Sequence, residues 1–120
     1  MTSTPIELQG LVRKLVDSWN DRDEEAFAAL FTPSAEYVTG EGERRRGRQE
    51  IARLLRESPA GLHVVVSEAA ADGDARGGTV SFPWTAARRG GTVRQGRITC
   101  VVVRQDGRWL IETLQNDEDA

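Results

Sequence analysis

The apolar positions near the start of the chain fall on one helical stripe. Leu8, Leu11, Val12, Leu15, Val16 and Trp19 recur at intervals of three and four, the spacing that gathers side chains on one face of an α-helix. Thr4-Pro5, with Glu7 three residues after the threonine, is a capping-box start with proline at the first helical position. Asn20-Asp21-Arg22-Asp23 breaks the stripe. Asp23 or Asp21 then caps a short second helix with Phe27, Leu30 and Phe31 on its apolar face, ended by Thr32-Pro33. "AEYVTGEGERRRG" predicts a strand or ragged hairpin. "GRQEIARLLRES" predicts a third helix facing inward through Ile51, Leu54 and Leu55, stopped by Ser58-Pro59-Ala60-Gly61. Beyond Leu62 the pattern is strand and turn. "LHVVVSEAA", "TVSFPWTAARR", "TVRQGRITCVVVR" and "RWLIETLQ" are separated by "DGDARGG", by Gly90-Gly91 and by Asp106-Gly107.

The order α, α, β, α and then a β-meander predicts an α+β fold. Three helices from the N-terminal half cover one face of a long antiparallel sheet. No repeat or linker divides the 120 residues, so a single domain over 1–120 is expected. A two-residue turn at Asp106-Gly107 pairs Gln105 with Arg108 and fixes the last hairpin. Val102 then opposes Ile111, Cys100 opposes Thr113 and Ile98 opposes Gln115 on one face. Val103 opposes Leu110, Val101 opposes Glu112 and Thr99 opposes Leu114 on the other. Both faces are rich in apolar residues, whereas a sheet covered on one side is normally polar on the other. The pattern therefore predicts a homodimer through the outer sheet face; the alternative is an outer face that is β-branched and no more.

Charge and composition narrow the partners. A net charge of −3 and a pI near 5.2 argue against nucleic acid or an anionic membrane. Cys100 is the single cysteine and His63 the single histidine. No internal disulfide, no all-histidine metal site and no zinc-type spacing can arise within one chain, and no metal or cofactor is expected. No apolar run is long enough to span a membrane. "MTSTPIELQG" lacks the basic and apolar regions of a secretory leader, so a soluble cytoplasmic protein is expected. The Arg, Ala and Gly bias, with Lys14 the one lysine, suits a GC-rich bacterial genome.

Three stretches together carry a family resemblance. "LVDSWNDRDEEAFAALFTPSAEYV", "GRQEI" and "VVVRQDGRWLIETLQND" resemble, in order, the helix–helix–strand opening, the glycine-led third helix and the closing hairpin of the nuclear-transport-factor-2-like superfamily, the cone fold shared with ketosteroid isomerase. The ending is most similar to the SnoaL-like and SgcJ/EcaC-type branch, often found in actinobacterial polyketide and enediyne pathways. The resemblance covers almost the whole chain. It implies a curved sheet around three helices, an open conical cavity and dimerisation through the sheet. It does not specify an activity, because this fold hosts many.

Candidate site residues each have two readings. Trp19 is core or a wall of the cavity mouth. Tyr37 is core or a hydrogen-bond donor to a ligand. Thr113 and Gln115 are either polar groups at the end of an apolar cavity or a strand end fraying into solvent. His63 is an unremarkable strand start or a general base. Trp84, after Phe82-Pro83, falls outward opposite Arg97 if Gly90-Gly91 is a tight turn, and a one-residue slip sends it into the cavity. Arg44, Arg45, Arg46 and Arg48 are a solvated loop or an anion clamp. Cys100 is a small core residue. The acids that ketosteroid isomerase-like chemistry needs have no clear counterpart. Asp17 lies off the helical stripe, Glu112 lies opposite in face to Gln115, and Glu36 and Glu68 have uncertain register.

Three functions follow. The first is a binder of a small apolar, polyketide-like molecule in bacterial specialised metabolism, held through Trp19, Tyr37, Trp84, Thr113 and Gln115. The second is a cyclase or isomerase in which His63, or a carboxylate such as Glu36, takes a proton and Tyr37 stabilises the enolate. The third is a dimeric association module with a closed cavity.

Overall fold

The helical stripe becomes one buried face of α1 (Thr4–Asn20). Leu8, Leu11, Val12 and Leu15 are at most 8% exposed, and Val16 and Trp19 pack half-buried beside them. Arg22, at a left-handed φ of 57°, turns the chain sharply. Asp23 then caps α2 (Glu24–Ala28), its carboxylate accepting from the Ala26 amide at 3.1 Å. The helix ends earlier than the sequence predicts. Thr32 and Pro33 lie inside β1 (Phe31–Val38), because the Leu30 carbonyl accepts from Ile111 N at 2.8 Å and commits the chain to the sheet. β2 (Arg44–Arg46) folds back on β1. α3 (Arg48–Glu57) starts at Gly47, whose φ of 91° favours glycine, and buries Ile51 and Leu55. This computed structural model describes residues 4–59, 61–67, 69–74, 76–88, 91 and 93–119.

The rest is sheet. "LHVVVSEAA" divides into β3 (Leu62–Val66) and β4 (Ala70–Gly73), both antiparallel to β5 (Gly77–Arg88). β6 (Val93–Gln105) and β7 (Arg108–Glu118) complete a sheet ordered β2-β1-β7-β6-β5-β3, with β4 also on β5. The described architecture is α+β, a seven-stranded sheet against three helices. One pair departs from the antiparallel expectation: β1 runs parallel to β7. No hairpin joins these two strands, so turn geometry does not set their direction.

The closing hairpin holds a β-bulge that the turn alone does not reveal. Gln105 pairs with Arg108, Val103 with Leu110 and Val102 with Ile111, as the turn predicts. Val101 then pairs with Thr113, leaving Glu112 as the extra residue. Beyond it Cys100 opposes Leu114 and Ile98 opposes Asn116, in place of the expected Thr113 and Gln115. A bulge adds one residue to one strand, and one residue exchanges the two faces. The inward set on β7 passes from Trp109 and Ile111 to Leu114, Asn116 and Glu118.

Two polar residues at the end of α1 and just beyond it fasten that helix to the sheet and to α3. The Asn20 side chain pairs with β3 as another strand would: Nδ2 donates to Val64 O at 2.9 Å and Oδ1 accepts from Val64 N at 2.8 Å. Arg22 reaches the end of α3. Its guanidinium donates to Leu55 O and Ser58 O, each at 3.0 Å, to Arg56 O and Pro59 O, each at 3.3 Å, and to Ser58 Oγ at 3.2 Å. These carbonyls lie at the end of a helix, where backbone acceptors outnumber intrahelical donors; Leu55 O also accepts from Ser58 N at 3.2 Å and from Ser58 Oγ at 2.7 Å.

Candidate functional site

The curved sheet and the helices leave a cavity of about 830 Å³ between them. Its deep wall is apolar. Phe27 sits at the centre, 5.6 Å from Trp19, 5.4 Å from Phe31 and 6.5 Å from Tyr37 between ring centroids. Leu15, Phe82 and Leu114 line the same end and are at most 5% exposed. Leu62, Val64 and Val66, alternate residues of β3, form a side wall.

Few polar groups face this interior. Tyr37 is 6% exposed, and its hydroxyl has no hydrogen-bond partner among the described residues. Burial holds its proton well above the ordinary phenol value, and nearby Cys100 adds to the shift, so it is a neutral donor or acceptor. Nearer the opening, the Trp84 indole Nε1 donates to Asn116 Oδ1 at 2.8 Å. Trp84 faces inward because it pairs with Gly96 and not with Arg97. A side chain at Gly96 would begin 2.9 Å from the indole nitrogen and 2.6 Å from Asp117 O, so glycine leaves room for the ring.

The opening is charged. Glu41, Glu43, Glu57, Glu118 and Asp119 stand around it with Arg45 and Arg94. Arg94 Nε and Nη2 each donate to a Glu118 oxygen at 2.6 Å, a bidentate pair that lowers the Glu118 pKa. Arg45 donates to Glu57 at 2.7 Å, Glu43 at 3.0 Å and Glu50 at 3.4 Å.

The structure brings Trp19, Tyr37 and Trp84 together around the cavity. It does not bring Thr113, Gln115 or His63 there. The bulge at Glu112 turns Thr113 and Gln115 to the outer face. His63 is exposed on the outer side of β3, opposite Ala87 and between two cavity-lining residues. Glu36 is outward too, bonded to Arg44 at 3.3 Å and near Arg46 at 3.7 Å. Arg48 donates to Phe31 O at 2.8 Å, so the arginine run is held by groups of this chain and forms no open clamp. Asp17 is exposed on α1 and Glu112 is exposed at the bulge. Glu68 and Gly90 lie outside the described residues. Cys100 is buried, and burial pushes its thiol up to about 12, the value of an inert core residue. Sequence reasoning missed Asn116, Glu118 and Arg94. The available signal was Glu112, a lone charge in an apolar strand.

The geometry agrees with comparison to known proteins. The pattern of the SnoaL-like domain family matches residues 12–111. A cystatin-like-fold protein of unknown function from Nostoc punctiforme superposes with a TM-score of 0.85 at 19% identity, over 95% of this chain and 90% of that one. A second cystatin-like-fold domain of unknown function from the same organism gives 0.83 at 25% identity, over 100% and 80%. ActVI-ORFA from Streptomyces coelicolor gives 0.79 at 17% identity, over 98% of both chains. No relative is found among curated protein sequences. Among the described residues no helix is long and apolar enough to cross a membrane.

Proposed function

The chain belongs to the SnoaL-like domain family, and on that premise we propose that it binds a small, largely apolar molecule in its cone. The observation that carries this reading is the cavity itself: about 830 Å³, apolar at depth, with Tyr37 inside it and Asn116 nearer its opening as uncharged polar groups. Small-molecule sites have this size and this balance of many apolar walls and few polar groups. A rigid multi-ring molecule of the polyketide kind fits such a volume, and bacterial specialised metabolism is the setting that the sequence resemblance supplies. Homodimerisation through the outer face is part of the same proposal. Val65 and Val101, 56% and 42% exposed there, are apolar groups it would cover.

Binding is favoured over proton-transfer chemistry by what lies deep in the cone. A general base must reach within hydrogen-bond distance of the proton it takes. Among the described residues, His63 faces outward and the carboxylates that line the cavity stand at its opening, Glu118 already paired with Arg94. Tyr37 is held protonated.

The test is titration by intrinsic tryptophan fluorescence against a panel of fused-ring aromatic and polyketide ligands, with Asn116→Ala and Tyr37→Phe alongside. Saturable one-to-one binding, weakened by either change, is the expected result. A folded protein that binds none of the panel overturns the reading.

A further inference from the structure

Among the described residues, the cavity opening carries more carboxylates than guanidinium groups. The whole chain has 19 acidic and 16 basic residues. Among the described residues, five of those carboxylates and two of those guanidinium groups stand at the opening, an excess of negative charge.

Neither arginine at the opening is free to receive an anion. Arg94 is held by both oxygens of Glu118. Arg45 is shared among three carboxylates and only 15% of its side chain is exposed. Among the described residues Glu41 has no ion pair, and Asp119 accepts only from Gln95 Nε2 at 3.3 Å. A carboxylate, phosphate or thioester carrier arriving here would meet like charge and have to displace an internal partner. An ammonium group would meet Glu41, which is near Arg94 but makes no ion pair among the described residues, and Asp119, held by Gln95. Deeper in, the 6%-exposed Tyr37 has its hydroxyl unpartnered among the described residues, so the interior offers a hydrogen bond that a ligand completes.

We propose that the ligand is an apolar molecule carrying a basic nitrogen, with its body in the cone and its ammonium group at the rim beside Glu41 and Asp119. This rests on the cavity reading above and specifies its substrate class. The rim works as a charge filter, because clefts lined by one sign of charge concentrate ligands of the other. Neutral molecules bind with intermediate affinity and anionic ones most weakly.

The experiment compares three probes by calorimetry: anthracene bearing a methylaminomethyl, a hydroxymethyl or a carboxylate group at the same position. The amine should bind about tenfold more tightly than the carboxylate in about 20 mM salt, with the alcohol between them, and the ratio should shrink toward one in about 500 mM salt as the rim is screened. The Glu41→Gln/Asp119→Asn double variant should reduce the same ratio at low salt. If the alcohol binds and the carboxylate binds as tightly as the amine, the charge filter is refuted while the cavity reading stands. An amine preference unchanged by salt and by the double variant refutes the rim as its source. If none of the three binds, the cavity reading falls and the filter falls with it.

Discussion

Replacing Arg22 with alanine removes one guanidinium and strands the end of a helix. Five acceptors around the close of α3 each lose one hydrogen bond, three of the bonds being partly buried and two at the surface, while Leu55 O keeps Ser58 N and Ser58 Oγ. A hydrogen bond to a charged group contributes about 1.5–3 kcal/mol when it stands alone. Five from one fork are not additive, and water replaces the exposed two. The expected loss for Arg22→Ala is therefore about 2–3 kcal/mol, the partly buried groups of Ser58 carrying most of it. For a chain of this size that corresponds to a melting temperature lower by about 10 °C. Two companion variants isolate the cause. Arg22→Gly loses the same bonds but relieves the left-handed backbone at φ 57°, so it should be about 1 kcal/mol more stable than the alanine variant. Arg22→Lys keeps the charge near the negative end of the helix but has no planar fork, and should recover less than half of the loss. Urea unfolding followed by tryptophan fluorescence measures all three. An alanine variant within about 0.5 kcal/mol of wild type, or a lysine variant equal to wild type, would refute the clamp as a source of stability.

Other expectations concern the cavity and its rim. Asn116→Leu leaves the Trp84 indole nitrogen without its acceptor and should cost about 1–2 kcal/mol in urea unfolding, whereas Thr113→Ala and Gln115→Ala, outside the cone, should leave ligand affinity unchanged; a ligand effect from either would overturn the bulged register. Bonding to Arg94 lowers the Glu118 pKa, so the pair stabilises the fold above the ordinary carboxylate value of about 4.3 and is lost as pH falls through the lower folded value. Unfolding free energy between about pH 5 and pH 3 should therefore fall more steeply in wild type than in Glu118→Gln, and parallel curves would contradict that linkage. Cys100, buried with its thiol pushed up to about 12, should resist a thiol reagent at neutral pH until urea unfolds the chain; rapid labelling of the native protein would contradict its burial.

Much of the fold was legible because long periodic segments impose it. The α1 stripe, the Asp23 cap and the Asp106-Gly107 turn each act through local geometry that sequence spacing reports. The sequence left Trp19 and Tyr37 each as core or cavity wall, and in the structure both line the cavity. The site at the end of β7 was not legible, because one extra residue at Glu112 reverses which side chains face inward. The turn fixed the register only as far as Val102 and Ile111. Trp84 shows the same sensitivity on β5, where pairing with Gly96 in place of Arg97 brings it inside. The roles of Asn20 and Arg22 were hidden for another reason. A polar run that ends a helix reads as punctuation, and nothing local tells that its side chains meet partners 44 and 33 or more residues away.

The amide of Asn20 also decides how copies of this chain can meet. β3 closes one side of the sheet, and an open strand there would template another chain. At Val64 both backbone groups are already taken by a side chain of the same molecule. A neighbour trying to extend the sheet through β3 must first dislodge Asn20, and with it the end of α1. The residue that ends a helix thus acts as a selvedge, finishing the fabric so that further threads are not added along that border.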